Sequence, residues 1–114
     1  NNFKTPNTSA PLTPGIWTTD RSGEEGYNSQ SGAAGEYTSG FGGTSSACPG
    51  AAGTAALVLA VDPMMTGAEV VKTIERTATK IDTVNEIYNA KGRSRSYGHG
   101  KINAEEAVYS RLHF

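Results

Sequence analysis

Cysteine occurs once in the 114 residues, at Cys48, which excludes an internal disulfide framework and a multi-cysteine zinc site. Cys48 can still pair outside this segment, so the redox compartment stays open. An excess of either charge is missing too. Lys and Arg number 10 against 11 Asp and Glu, for a net charge of -1, which leaves no basic footprint for nucleic acid. Large apolar side chains are scarce: Leu, Ile, Val and Phe together number 18. That share falls under the roughly 20% that accompanies disorder, but disorder also needs the high net charge this chain lacks. No run reaches the roughly 18 to 20 apolar residues of a membrane span. The opening Asn1-Asn2-Phe3-Lys4 has neither an initiator Met nor a signal-peptide core, so the chain reads as cut from a longer one. Asn7-Thr8-Ser9 fits a glycosylation sequon, a triplet common by chance.

Small residues fill the composition instead. The chain carries 14 Gly and 14 Ala, which suit elements that pack backbone close to backbone. The length fits one domain at most, and so thin a core predicts poor folding of the isolated chain unless a partner supplies more apolar surface.

Residues 1–43, rich in Gly, Ser, Thr, Asn and Pro, read as loops around one or two strands, the clearest at Gly15-Ile16-Trp17-Thr18-Thr19 and a weaker one near Tyr37. From Thr44 a run of small and apolar residues continues to Asp62-Pro63. It predicts a helix over 44–61 that is apolar on all faces and therefore buried, with Pro49 marking its start. Thr66-Gly67-Ala68-Glu69 has the capping-box form, and Val70, Val71, Ile74 and Ala78 follow at helical spacing, predicting an amphipathic helix over 66–79. Residues 82–97 are polar, with Arg93 and Arg95 in a surface loop. Asn103-Ala104-Glu105-Glu106 repeats a cap pattern before a terminal helix over 103–112.

Phe41-Gly42-Gly43-Thr44-Ser45-Ser46 puts hydroxyls between a glycine-rich approach and a helix start. Glycines there leave room for a substrate chain, and the free amides and positive end of a helix favour an oxyanion forming beside a serine. On residue chemistry alone, a helix cap is the commoner role for Ser45 or Ser46 at such a start.

Gly43-Thr44-Ser45-Ser46-Ala47-Cys48-Pro49-Gly50-Ala51-Ala52-Gly53 resembles the nucleophile segment of the subtilisin-like serine proteases, the subtilases. Three further segments follow the family's order. Ile16-Trp17-Thr18-Thr19-Asp20 is similar to the preceding strand, especially in the kexin-like branch; Asp62-Pro63 to Glu69-Val70 resembles the Asn-Pro-x-Leu-Thr-x-x-Glu-Val stretch; Tyr97-Gly98-His99-Gly100-Lys101-Ile102-Asn103-Ala104 resembles the closing segment. The resemblance covers residues 10–112. It implies the C-terminal portion of a doubly wound α/β domain with a parallel sheet, and a serine endopeptidase in which Ser45 attacks the scissile carbonyl. It also implies that the Ser45 amide, with Thr44 in support, serves the oxyanion, that Ser46 is a spacer, and that the protein is secreted or in the cell envelope. The partners implied are a polypeptide substrate and the remainder of the domain, which supplies the Asp, the His and the oxyanion Asn.

The family's order departs at one point. Its Asp, His and Asn precede the serine, whereas His99 and His113 follow Ser45, so neither takes the catalytic place, and the chain alone is expected to be inactive. His99 reads as structural or surface, and His113 as solvated. Gly50 stands where the family commonly has His. Cys48 reads as a small buried hydrophobe, and Met64 and Met65 as core filler or loop anchors. Many subtilases hold calcium, and Asp20, Glu24 and Glu25 form an acidic loop, but their spacing matches no dedicated calcium loop, so no metal ligand is assigned in this segment. The rival reading is a non-catalytic subtilase-like module that binds peptide or protein, with Ser45 serving only as a cap.

Overall fold

The computed structural model describes residues 14–112, which places Asn7-Thr8-Ser9 and His113 outside the described residues. The chain divides into two compact units, with the boundary between Gly50 and Ala51.

In the first unit, β1 (Ile16–Thr19) pairs antiparallel with β2 (Tyr37–Phe41). β-branched and aromatic residues make up β1 and, apart from Ser39-Gly40, β2, residue types that suit a pleated ribbon. Ile16 faces Phe41 and Thr18 faces Thr38, so the register slips by one and Ser39-Gly40 oppose Trp17 in a bulge. The connection between the strands ends in a 3-10 turn over Gly32–Glu36. Asn28 holds this connection together by donating from its side-chain amide to the Ala34 and Tyr37 carbonyls, each at 2.8 Å. Among the described residues the only named strands are these two, and mixed strand and helix content agrees with a portion of an α/β domain.

Helix α1 (Thr44–Val61) crosses from one unit into the other. It is apolar all round, yet only Thr54 and Val58 are buried, and Leu57 is 54% exposed. This corrects the buried helix expected from its composition. Composition states what a helix can bury; covering it takes a second apolar surface, which the described residues do not supply. Cys48 is exposed for the same reason. Pro49 lies inside the helix rather than at its start. By length and composition alone α1 could cross a membrane, although no unbroken apolar run announces it, because Ala, Val and Leu outweigh Thr44, Ser45, Ser46 and Thr54 in the average. The core helix of a soluble protein meets the same criterion.

In the second unit, α2 (Gly67–Thr77) opens on a complete capping box. The Glu69 amide donates to the Thr66 hydroxyl at 3.3 Å, and the Thr66 amide donates to the Glu69 carboxylate at 2.7 Å. Val70 and Thr73 are its buried face. The helix stops at Thr77 because Ala78 turns to extended backbone and Thr79 pairs with Lys101 in an isolated bridge. Helix α3 (Ala104–Tyr109) starts from Asn103, whose side chain accepts the Glu106 amide at 3.0 Å, and it packs against α2 with Ala107 fully buried. Arg111 returns to the end of α1, its Nε donating to Asp62 at 3.1 Å. Met64, at 88% exposure, is not core filler; it sits in the turn after Asp62, where no described residue covers it.

Candidate functional site

Gly43 sets the entry to α1. Its φ of +76° lies where a side chain is strained, and an added Cβ would meet nothing, so backbone conformation rather than space requires glycine. From that conformation its carbonyl accepts the Ser46 amide at 3.2 Å, the Ala47 amide at 3.3 Å and the Ser46 hydroxyl at 2.9 Å.

The two serines are thereby separated. Ser46 is half-buried and its hydroxyl is spent on Gly43, whereas Ser45 is exposed and its side chain makes no hydrogen bond among the described residues. Neither serine caps the helix by accepting an amide, since both lie within α1. Thr44 and Ser45 occupy the first helical turn, where backbone amides have no partner inside a helix, and the helix dipole adds partial positive charge at the same end. An exposed hydroxyl, the first-turn amides and an open face therefore coincide at Ser45.

Within the first unit, no described side chain accepts a hydrogen bond from the Ser45 hydroxyl. His99 belongs to the second unit, where its Nε2 lies 3.6 Å from Glu75 Oε1 and its carbonyl accepts the Lys80 ammonium at 2.6 Å, a structural employment. Asp20 is likewise engaged. Its carboxylate accepts the Asn28 amide at 2.7 Å and the Arg21 amide at 2.8 Å, and these bonds, the Asn28 one foremost, hold its carboxyl below the usual carboxylate range. Glu25 pairs with Arg21. Of the acidic loop, Asp20 is thus engaged by backbone amides and Glu25 by an arginine, and no group of three or more metal-ligating side chains occurs among the described residues.

Sequence reasoning did not anticipate the linkage of Tyr97 to Asp82. The Tyr97 hydroxyl stands 3.4 Å from Asp82 Oδ2, and that negative charge pushes the phenol above its usual value. Asp82 itself has a φ of 52°, the single non-glycine residue at positive φ among those described, a feature no residue pattern announces.

The sequence model of the Subtilase family, Peptidase S8, matches residues 5–100. A calcium-dependent protease of Nostoc sp. (strain PCC 7120 / SAG 25.82 / UTEX 2576) is 54% identical over 110 residues, which covers 93% of this chain and 17% of that protein. A calcium-dependent protease of Trichormus variabilis (strain ATCC 29413 / PCC 7937) is 53% identical over 110 residues with the same coverage. The chain therefore spans 17% of the length of these relatives.

Proposed function

The chain belongs to the subtilase family, and from that premise we propose that it supplies the nucleophilic serine of a serine endopeptidase whose remaining catalytic groups lie in the rest of the domain. The observation that carries the proposal is the difference between neighbouring hydroxyls: Ser45 is open and unbonded among the described residues, and Ser46 is tied to Gly43.

In this reading Ser45 Oγ attacks the scissile carbonyl while a histidine from the remainder of the domain removes its proton, and an aspartate holds that histidine in the required tautomer. The carbonyl oxygen becomes an oxyanion, stabilised by the Ser45 amide and the positive end of α1, with Thr44 in support and an asparagine from the remainder of the domain. Gly42 and Gly43 keep the approach free of side chains. The tetrahedral intermediate then collapses to an acyl-enzyme on Ser45 as the histidine protonates the leaving amine. Water releases the acyl group by the same steps in reverse.

The chain alone carries Ser45 without its base and is inactive by itself. The substrate is a polypeptide, and the setting is extracellular or the cell envelope. The relatives' names attach calcium dependence to those proteins; for this protein, calcium is assigned to the complete domain, since the described residues gather no group of three or more metal-ligating side chains. α1 is read as the domain's central helix, and its apolar faces await the elements that cover them.

The test is fluorophosphonate labelling of the complete protein followed by peptide mapping. Modification at Ser45, abolished in Ser45→Ala and retained in Ser46→Ala, supports the enzyme. An unlabelled but folded protein supports a binding module in which Ser45 only begins a helix.

A further inference from the structure

In the second unit, α2 presents Lys72, Glu75 and Arg76 at spacings of three and four, which places them on one helix face. Lys80, Lys91, Gly92 and His99 join them around a surface groove of about 480 Å³. Four cationic side chains thus line the groove against one carboxylate, in a chain whose net charge is -1.

The lining groups differ in what they have left to offer. Glu75 faces His99 at 3.6 Å. The Lys80 ammonium donates to the Gly92 carbonyl at 2.7 Å and the His99 carbonyl at 2.6 Å, and lies 5.0 Å from the centre of the Tyr88 ring. Two of its three donors are committed, so it contributes a fixed positive charge rather than a free hand. Lys72, Arg76 and Lys91 are exposed, and their side chains form no ion pair among the described residues. Complementing the α2 dipole accounts for Arg76 in the last turn, but not for Lys72, further back in the helix, or Lys91, in a loop.

We propose that this groove binds an acidic stretch of polypeptide in extended form, its carboxylates meeting Lys72, Arg76 and Lys91 in the field of Lys80. A compact anion such as phosphate calls for several free donors converging on one point. Here the most firmly placed cation has two donors already engaged, and the free ones come from separate segments. Carboxylates spaced along a chain match that distribution, with charge complementarity setting the encounter rate and salt sensitivity.

The experiment is fluorescence anisotropy of a fluorescein-labelled Glu-Gly repeat peptide titrated at low salt with the complete protein carrying Ser45→Ala to prevent cleavage, circular dichroism being recorded for every variant. Saturable binding is expected, with the matched Gln-Gly peptide unbound. Lys72→Glu with Arg76→Glu should weaken binding about tenfold or more, whereas Arg93→Glu with Arg95→Glu, exposed cations outside the groove lining, should change it by no more than about twofold. If the α2 variant loses its helical signal, the loop variant Lys91→Gln decides, and there a several-fold loss is expected. No saturable binding, equal losses from the two double variants, no loss in Lys91→Gln, or tighter binding of inorganic tripolyphosphate than of the peptide would overturn the proposal.

Discussion

Pro49 follows Ser45 by four residues within α1, so the amide that would bond the Ser45 carbonyl in the helical ladder does not exist. The turn that carries Ser45 is held from one side, through the three bonds to the Gly43 carbonyl, and is released on the other. In a helix interior, proline costs roughly 3 kcal/mol relative to alanine, and Pro49, past the first turn, removes one such ladder bond. Pro49→Ala in the complete protein should therefore raise the melting temperature by a few degrees and reposition Ser45, lowering kcat for a peptide substrate. A calorimetric scan and a kcat measurement check both, and unchanged values would show that Pro49 does not bear on the serine.

Gly43→Ala forces a side chain to φ +76° with nothing to clash against. The expected stability loss is about 1–2 kcal/mol. The carbonyl that gathers Ser46 and Ala47 would also turn, so peptidase activity of the complete protein should fall more than stability does. Parallel denaturant melts and kcat/KM measurements separate the two effects.

Gly100→Ala meets the other kind of obstacle. Its φ is +117°, and a Cβ there would stand 2.3 Å from the Thr79 carbonyl oxygen, which accepts the Lys101 amide at 2.9 Å. Conformational strain and a steric clash combine, and the loss should exceed about 2 kcal/mol. Amide hydrogen exchange at Lys101 and Thr79 should accelerate together. Retained protection at both would refute the clash.

The capping box makes α2 sensitive to acid. Donation from the Thr66 amide, and then the Thr66 hydroxyl, holds the Glu69 carboxyl below its ordinary value of 4.5. A carboxyl lowered by folding stabilises the folded state fully above that ordinary value and loses its contribution as pH falls below it through the folded value. Glu69→Gln should therefore flatten the stability profile in that acid range and leave its shape near neutrality unchanged. Thr66→Ala should cost about 1 kcal/mol near pH 7. Denaturant midpoints recorded across pH check both.

Local rules were legible where the chain needs only itself. Thr66 and Glu69 are three apart and close a capping box in the structure; Asn103 caps α3 through its side chain as its residue type suggests. The β-branched run at Ile16–Thr19 forms a strand. What failed to read correctly depends on surfaces beyond the neighbouring residues. An apolar composition indicated that α1 seeks burial, but Leu57 and Cys48 are exposed because no described residue packs over them. Proline's tolerance at helix starts put Pro49 at the beginning of α1, whereas the helix runs from Thr44, as its predicted span of 44–61 has it, and Pro49 lies inside. At the candidate site, the resemblance pointed to Ser45 over Ser46. The differing engagement of their hydroxyls depends on Gly43 backbone geometry, which residue identity alone does not specify.

Mass-spectrometric mapping of the complete protein after reaction with a fluorophosphonate decides whether Ser45 is the nucleophile. A single adduct on Ser45 is expected, absent from Ser45→Ala and present in Ser46→Ala. An adduct lost in Ser46→Ala but retained in Ser45→Ala would contradict it.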